Sequence, residues 1–215
     1  MFLIPYRDDN TARSFPFLTV ALIAANCWLF FRNHTPEAIT LVANRYGFTT
    51  HQLFQHPEVM LTSLFLHGSI LHLIGNMWFL WLFGDNIEDR FGRLPFLTLY
   101  LFSGIAGNLL QAVFSMFSAQ TPVIGASGAV AGVMGSYLLK FPGSRVRTIF
   151  LLVFYPIFFR IRAFWFIGVW MIGEFVAAYF GPSDYVAHWA HIGGFIFGFI
   201  WAYGRRERYY HARSA

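Results

Sequence analysis

Ser127 is the side chain of this sequence best suited to act as a nucleophile. It lies in the segment Gly125-Ala126-Ser127-Gly128, between a short polar stretch and an apolar run. This order predicts that Ser127 begins a helix, where unpaired backbone N–H groups and the positive end of the helix dipole stabilise a developing negative charge. A serine in a Gly/Ala-rich membrane helix is more often a packing or capping residue, so a nucleophile also requires a base.

His191 is the candidate base for Ser127. It lies near the start of the apolar run that ends at Tyr203, and a neutral imidazole within hydrogen-bond reach takes the proton of a serine hydroxyl. His188 lies one turn earlier and is a candidate support for His191 or a cavity-lining residue. The alternative for each histidine is a hydrogen-bonded interior residue without a chemical role.

Four glycines give the two helices a way to approach each other closely. Gly128 and Gly132 are four residues apart in one apolar run, and Gly194 and Gly198 are four residues apart in another. Residues at this spacing share one helical face, and a glycine face lets a second helix pack against it. If the two faces meet, the candidate nucleophile and base come within hydrogen-bond reach.

His72 and Asn76 are candidate donors to a negatively charged intermediate. They are four residues apart, so they share a helical face, and imidazole and amide N–H groups can stabilise an oxyanion. Their alternative role is hydrogen bonding between membrane helices, worth ~0.6–2 kcal/mol per bond.

Acidic residues are few, and two positions in the sequence are candidates for a functional or structural role. Glu174 lies within an apolar run, which makes it a functional candidate, with His188 as a candidate partner. The segment Gly84–Gly92 holds three acidic residues. We interpret that segment as a polar turn with a structural role through helix caps and ion pairs.

The amino-acid composition predicts that these residues belong to a membrane protein. Apolar residues make up 57% of the 215-residue chain and charged residues 12%, against about 45–50% and ~25% in soluble domains. Together with the single Cys27, these values exclude a soluble globular domain, a disordered chain and a disulfide scaffold. The formal net charge of +5 does not indicate nucleic-acid binding, because the basic residues lie in loops.

The apolar runs predict an all-α membrane protein with a bundle of six transmembrane helices. A spanning helix needs roughly 17–25 apolar residues. The predicted spans are Phe15–Phe31, Ile70–Phe83, Leu94–Phe117, Ser127–Leu139, Ala163–Phe180 and Ala187–Tyr203. A further apolar stretch, Val146–Phe159, is short, bracketed by arginines and interrupted by Pro156. We therefore interpret it as interfacial or re-entrant.

The distribution of basic residues orients the bundle. With both termini cytoplasmic, every Lys and Arg except Arg32 and Arg45 lies on the inside, as the positive-inside rule requires. The predicted organisation is a cytoplasmic N-terminus over residues 1–14, a six-helix domain over 15–204 and a basic cytoplasmic tail over 205–215. The absence of a transit-peptide pattern and the charge bias predict a prokaryotic plasma (inner) membrane.

Taken together, the motifs resemble those of the rhomboid family of intramembrane serine proteases, in its minimal six-helix form. The elements that carry the resemblance extend over about Leu61–Tyr203. They are His72-x-x-x-Asn76, Gly125-x-Ser127-Gly128 and Ala190-His191-x-x-Gly194-x-x-x-Gly198, in that order.

The resemblance implies a serine endopeptidase that cleaves transmembrane segments of other membrane proteins within the lipid bilayer. It implies Ser127 as nucleophile and His191 as base, acting as a dyad without a carboxylate. The implied oxyanion hole combines the Ser127 N–H with His72 and Asn76. The resemblance implies no metal and no organic cofactor. We interpret the basic C-terminal tail as a topology anchor rather than a binding site for anionic lipid or nucleic acid, so we expect no nucleic-acid partner.

Three alternatives stay open at this point. A metal-dependent protease or metal transporter would use His67, His72, His188 and His191, but the sequence has no HExxH and no neighbouring ligand set. A non-catalytic rhomboid-like protein would bind transmembrane helices without cutting them, since fold alone does not fix function. A channel or transporter would require repeat-related broken helices.

Overall fold

The protein is a bundle of α-helices with a small β-sheet at one end. The computed structural model describes residues 2–114, 121–152, 155–181 and 186–205. These residues form α1 (Phe17–Arg32), α2 (Pro36–Tyr46), α3 (Val59–Thr62), α4 (Ile70–Phe91), α5 (Arg93–Phe114), α6 (Ser127–Lys140), α7 (Ala163–Phe180) and α8 (His188–Tyr203). The strands are β1 (Phe2–Asp8), β2 (Arg145–Leu152) and β3 (Tyr155–Arg162).

The six predicted spans correspond to α1, α4, α5, α6, α7 and α8, with ends that agree within a few residues except in α4. That helix continues to Phe91 and ends at Gly92, which has a φ of 90°. The interpretation of Gly84–Gly92 as a polar turn is therefore wrong, because most of the segment is helical. The end of the predicted third span, up to Phe117, lies outside the described residues.

By length and apolar composition, fewer of the observed helices can cross a membrane than the six predicted from the sequence. In the described ranges, α5 and α7 are long and apolar enough to cross a membrane. The bent pair of Val59–Phe65 and α4, with an angle of 95° between its two parts, would form a third span. The helices α1, α6 and α8 have 16, 14 and 16 residues, below the roughly 17–25 that a spanning helix needs.

The helix α6 lies at the centre of the bundle and packs against α4, α5 and α8. Ten consecutive residues, from Gly128 to Tyr137, are buried. Small side chains occupy most of these positions, so neighbouring backbones come close and dispersion contacts hold the helices together without a hydrophobic driving force from water. The central position of α6 explains why its first residue can face side chains from several helices.

A three-stranded antiparallel sheet is the main departure from the predicted fold. Its strand order is β1-β2-β3, with Phe2 paired to Leu151 and Arg145 paired to Arg162. The prediction of an all-α protein is wrong for these residues, because the β-branched and aromatic residues of 145–162 favour a hairpin. The same segment was predicted to be interfacial rather than a seventh helical span, and the hairpin agrees with the absence of a helix there.

Acidic residues at the end of α4 fasten the start of α1. The Glu88 carboxylate accepts hydrogen bonds from the backbone N–H groups of Leu18 and Thr19 at 2.9 and 2.8 Å and from the Thr19 hydroxyl at 2.9 Å. Asp89 accepts from the Ser14 N–H at 3.0 Å. A carboxylate at a helix N-terminus satisfies unpaired N–H groups and favours the helix dipole. The predicted capping role of the acidic segment is confirmed.

A buried polar cluster joins the sheet to the helices. Asp8 of β1 is only 7% exposed, and its Oδ2 accepts hydrogen bonds from Tyr137 Oη at 2.6 Å and Asn86 Nδ2 at 2.9 Å. Burial, which outweighs the stabilising hydrogen bond from Tyr137, raises the pKa of the Asp8 carboxyl from 3.8 to about 6. The folded protein therefore binds a proton at Asp8 at pH values where the unfolded chain has lost it.

We expect Asp8 to make the protein less stable as the pH rises from about 4 to 6. The carboxyl pKa is raised in the folded state, so stability is greatest below the unfolded value of 3.8 and falls until the pH passes the folded value of about 6. A shift of this size corresponds to about 3 kcal/mol. Unfolding of wild type and Asp8→Asn in mild detergent at several pH values measures the effect.

The difference between those two proteins cancels the contributions of the carboxylates that do not interact with Asp8. Asn cannot ionise but keeps an oxygen that accepts from Tyr137 and an amide of the same size. The stability of Asp8→Asn relative to wild type should therefore increase between pH 4 and pH 6 and stay level above pH 7. A constant difference across this range would contradict the assignment.

Candidate active site

Ser127 occupies the first position of α6, as the sequence predicts. The preceding residue, Ala126, provides no side-chain cap, and its carbonyl accepts the first helical hydrogen bond, from Val130 N–H at 2.9 Å. The N–H groups of the first turn, including that of Ser127, have no intrahelical partner. Ser127 itself is half-buried. The helix start thus presents a hydroxyl and N–H donors without intrahelical partners at one place.

The loop that leads into Ser127 is held by the long segment between α1 and α4. Phe48 and Val123 form an antiparallel bridge, with N–H···O distances of 2.9 and 2.8 Å. The N–H of Gly125 donates to the carbonyl of Ser63 at 2.9 Å. Gly125 has a φ of +131°, a conformation that residues with a side chain rarely adopt. The chain therefore enters α6 in a fixed direction.

His72 and Asn76 lie directly beside this loop. The helix α4 begins just before them, and Ser69 Oγ caps it by accepting from the His72 N–H at 3.2 Å. A Cβ atom placed on Gly125 would lie 2.7 Å from His72 Nε2 and 3.7 Å from Asn76 Nδ2. Both side chains therefore line the backbone two residues before Ser127, and glycine is the residue that leaves room for them.

Asn76 carries a donor that the fold leaves unused. The residue is 8% exposed, and among the described residues its Nδ2 has no hydrogen-bond partner. A buried amide without a partner costs about 1–3 kcal/mol, so such groups call for an explanation in a folded protein. The position beside Gly125 fits one such explanation, in which the Asn76 Nδ2 donates to an oxygen of a bound substrate.

The predicted glycine faces of α6 and α8 are in contact. A Cβ on Gly194 would collide with the carbonyl oxygen of Gly128, and a Cβ on Gly198 would collide with that of Gly132. A Cβ on Gly128 would lie 3.2 Å from the carbonyl oxygen of Ala190, the residue before His191. The structure therefore brings the starts of the two helices together at Gly128 and Ala190, the residues next in sequence to Ser127 and His191.

We expect Gly198→Ala to destabilise the protein by about 1–3 kcal/mol or more, because its methyl group would overlap a backbone carbonyl that cannot move freely. Gly168→Ala on α7 is the matched control, since nothing lies within 4 Å of its added Cβ. Alanine at that open position should be neutral or slightly stabilising. Thermal unfolding of both variants in detergent measures the effect, and equal midpoints would contradict the close contact.

His191 lies at the junction of α4, α7 and α8. Its ring centroid is 6.0 Å from that of Trp170 on α7, and it interacts electrostatically with His72 on α4. In the part of the chain that the structure describes, Ser127 Oγ and His191 Nε2 form no hydrogen bond with each other. Hydrogen bonds of this kind often tighten only when substrate binds.

Glu174 contacts both histidines of α8, which corrects the expectation of a serine–histidine dyad without a nearby carboxylate. Its Oε2 lies 2.7 Å from His188 Nδ1 and 2.7 Å from His191 Nδ1. The pairing with His188 was suspected from the sequence. The expectation that no carboxylate lies near His191 is wrong, because α7 packs against α8 and turns Glu174 towards both rings. The signal available in the sequence was a single charged residue within an otherwise apolar span.

The same three residues are the metal-binding candidates of the described chain. One ligand atom from each of Glu174, His188 and His191 lies within 4.8 Å of the other two, and two histidines with a carboxylate are a donor set that zinc accepts. His67, included in the metal alternative above, lies apart from this group, with its ring 5.0 Å from that of His72. The expectation of a metal-free protein stays a prediction.

The fold and the site together define a membrane helical bundle in which two glycine-lined helices pack together, one beginning at Ser127 and the other carrying His191 near its start. The Rhomboid domain model matches residues 51–208, which include every predicted site residue. The chain belongs to the rhomboid family. This family acts on membrane-protein substrates in the bilayer.

Relatives in several organisms support the same membership. The chain is 33% identical over 144 residues to the presenilin-associated rhomboid-like protein, mitochondrial, of Mus musculus, covering 66% of this chain and 36% of the relative. The Bos taurus protein of that name is 30% identical over 182 residues, covering 84% and 46%. Rhomboid protease GluP of Bacillus subtilis is 35% identical over 129 residues, covering 57% and 24%. The match thus spans less than half the length of each of these relatives.

The comparisons correct the predicted location. The relatives from Mus musculus, Homo sapiens and Arabidopsis thaliana are each named as mitochondrial proteins, so the prediction of a prokaryotic plasma membrane is wrong. The charge bias used for that prediction determines the orientation of a membrane protein. It does not distinguish one membrane from another.

Proposed function

We propose that this protein is an intramembrane serine endopeptidase that cleaves transmembrane segments of other membrane proteins with Ser127 and His191. The observation that carries the proposal is the placement of Ser127 at the start of α6, where α6 contacts the start of α8 next to His191. The Nδ2 of Asn76, which has no hydrogen-bond partner among the described residues, lies near the loop before Ser127. A nucleophile, a base and oxyanion donors are the parts that acyl transfer requires.

The first half of the reaction forms an acyl-enzyme. His191 Nε2 takes the proton of Ser127 Oγ as that oxygen attacks the scissile carbonyl carbon and forms a C–O bond. The carbonyl oxygen becomes an oxyanion that accepts hydrogen bonds from Ser127 N–H, His72 and Asn76. His191 then gives its proton to the leaving nitrogen as the C–N bond breaks, which releases the amine half of the substrate.

The second half of the reaction releases the other product. His191 takes a proton from a water molecule, and the resulting hydroxide attacks the acyl carbon. The same donors stabilise the second oxyanion, and the proton returns to Ser127 as the C–O bond breaks. Each side chain ends in its starting state, and no step requires a metal or an organic cofactor.

The topology that fits this chemistry is six crossings with both termini on the basic side of the membrane. Water then reaches Ser127 and His191 from the opposite side, through the ends of α6 and α8, and these helices can be short because they border an aqueous cavity. The protease domain covers 15–204, and most of the basic tail of 205–215 lies outside the described residues. The mitochondrial relatives support a mitochondrial membrane as its location.

The substrate chemistry follows from the helix that must be cut. Backbone hydrogen bonds within a transmembrane helix shield the scissile amide, so cleavage favours segments that leave the helical state easily. Glycine, proline and other poor helix formers near the scissile bond provide such segments. Membership of the rhomboid family implies small residues near the scissile bond.

Purified protein in liposomes with a fluorescent transmembrane substrate tests the proposal. Wild type should cleave the substrate, be labelled covalently at Ser127 by a fluorophosphonate probe, and keep its rate in excess EDTA. Ser127→Ala is the labelling control. Labelling that is absent from folded wild type, together with no cleavage, would contradict the proposal and favour a rhomboid-like protein that binds transmembrane helices without cutting them.

A further inference from the structure

We propose that Glu174 is a positioning residue that fixes the tautomer and orientation of His191 during catalysis. The inference rests on the proposed function, because it assigns Glu174 a role in the same reaction. The proposal is based on the contacts of one carboxylate oxygen, Glu174 Oε2. With this carboxylate, the expected serine–histidine pair becomes a set of serine, histidine and carboxylate.

One oxygen of Glu174 holds two imidazole rings. Oε2 lies 2.7 Å from Nδ1 of His191 and 2.7 Å from Nδ1 of His188, and the three side chains are only 13%, 13% and 15% exposed. An ionised carboxylate has only acceptor sites, so both Nδ1 atoms must carry protons and donate to it. Charge-assisted bonds at this distance are the stronger kind of hydrogen bond.

The tautomer of His191 follows from this bond. A neutral imidazole has one N–H and one free lone pair, and a proton held on Nδ1 leaves the lone pair on Nε2. That lone pair is the group that must take the Ser127 proton. A ring without the Glu174 contact can carry its proton on Nε2 instead, and in that state it cannot act as a base.

The carboxylate also compensates the charge that forms on His191. The imidazolium produced when Ser127 attacks lies in a half-buried site, where an uncompensated charge is costly. The other titratable groups that face His191 are His72 from α4 and His188 from its own helix, and neither supplies a negative charge. Among the described residues around the ring, Glu174 is the group that does.

The site explains why the carboxylate comes from α7. His188 and His191 are three residues apart at the start of α8, so their rings lie on one side of that helix. The helix α7 packs on this side, and Trp170, one turn before Glu174, lies against His191 with a ring separation of 6.0 Å. His188 supplies a second bond that keeps the carboxylate in place.

Replacement of Glu174 by Leu and by Gln tests the proposal. We expect Glu174→Leu to lower kcat by about 10²–10⁴-fold, with KM within about threefold of wild type. Glu174→Gln keeps an acceptor oxygen without the charge, so its kcat should lie between those of wild type and Glu174→Leu. Glu58→Leu is the matched control, since it removes a carboxylate from an exposed pair with His56 at 3.2 Å and should leave kcat unchanged.

A second readout does not depend on activity. Protein labelled with ¹⁵N-histidine should show a strongly downfield Nδ1–H proton resonance, assigned with His191→Gln, that is lost in Glu174→Leu. Failure of the proposed function is seen when folded wild type cleaves nothing. Failure of the Glu174 proposal is seen when wild type cleaves and folded Glu174→Leu cleaves equally fast, or when the His191 resonance is the same in both proteins.

A separate observation on the sheet carries a second inference. We propose that the exposed face of β2 and β3 binds anionic lipid headgroups at the basic side of the membrane. Arg145 lies opposite Arg162, and Arg147 lies opposite Arg160. Residues directly opposite in an antiparallel pair share one face, and like charges in such pairs destabilise the sheet.

The charge on this face is only partly balanced within the protein. Asp9 pairs with Arg147 at 2.6 Å and with Arg160 at 3.6 Å. Asp9 also attracts Arg145 without forming an ion pair with it. In the described ranges, neither Arg145 nor Arg162 forms an ion pair with an acidic side chain, and both are exposed. The face thus keeps a net positive charge that an external anion can compensate.

An apolar row on the same face identifies the anion as a lipid headgroup rather than a soluble ion. Ile149 lies opposite Phe158, next along the strands from the arginines, and Phe158 is 64% exposed. A surface that changes from arginine to apolar side chains over a few residues matches the membrane interface, where headgroup phosphates lie above acyl chains.

Native mass spectrometry of protein extracted from mixed phosphatidylglycerol and phosphatidylcholine bilayers tests this second inference. Arg145→Gln/Arg162→Gln should reduce the preference for phosphatidylglycerol by about 10–30-fold, from about 1 kcal/mol per arginine. Arg32→Gln/Arg45→Gln removes equal charge from the other side and should leave the preference unchanged. Equal preferences in wild type and the first variant would overturn the inference.

Discussion

We expect Ser127→Ala and His191→Gln each to lower the rate of substrate cleavage by about 10⁴–10⁶-fold, by comparison with soluble serine hydrolases. A serine hydroxyl is too weakly acidic to attack an amide at neutral pH without a base, and a base without a nucleophile has nothing to activate. The two residues act as a unit, so the double variant should be no slower than the slower single variant. Single-turnover cleavage in liposomes measures kcat separately from substrate binding.

Ser136→Ala is the matched control for the serine variant. Ser136 lies on the same helix, is fully buried, and donates to the carbonyl of Gly198 at 2.8 Å. Its loss should cost about 1 kcal/mol of stability and leave the rate within a few-fold of wild type. Cleavage by purified Ser127→Ala at more than about one hundredth of the wild-type rate would show that another residue is the nucleophile, and equal losses in both variants would indicate damage to the fold.

The helices that carry the site were predictable from the sequence because their signals are local. The start of α6 at Ser127 follows from a glycine-containing loop before an apolar run, and the bounds predicted for α7, Ala163–Phe180, are those observed. The small-residue spacing around Gly128 and Gly194 also indicated which helices meet, because it marks a single face of each helix. In each case the relevant residues lie within one or two helical turns.

The relations that the sequence did not reveal join residues far apart in the chain. The pairing of Phe2 with Leu151 depends on the folded bundle bringing the N-terminus to the hairpin, and no local pattern encodes it. The contact of Glu174 with His191 depends on the rotation of α7 about its own axis. An almost uniformly apolar helix gives no polar face from which that rotation can be read.

The predicted oxyanion donors provide the second large effect. Asn76→Ala should lower kcat by about 10²–10³-fold, and His72→Ala by a similar or smaller factor, because each removes a donor aimed at the charge that forms on the scissile carbonyl oxygen. The Nδ2 of Asn76 is buried and has no hydrogen-bond partner among the described residues, so it can donate to the oxyanion without first giving up a bond. Asn26→Ala, in α1 and also buried, is the control for losing a buried amide and should retain near wild-type kcat.

The division of the effect between kcat and KM decides whether these side chains act as oxyanion donors. A donor placed for the intermediate interacts more strongly with the tetrahedral oxyanion than with the planar carbonyl, so its loss raises the barrier and leaves ground-state affinity nearly unchanged. A rise in KM at constant kcat would instead mean that Asn76 binds the substrate and the transition state equally strongly.

A substitution at Gly125 provides a further test of the oxyanion donors. Gly125→Ala would direct a methyl group at His72 Nε2, 2.7 Å away, and should lower kcat in the same way while Asn76 itself is intact.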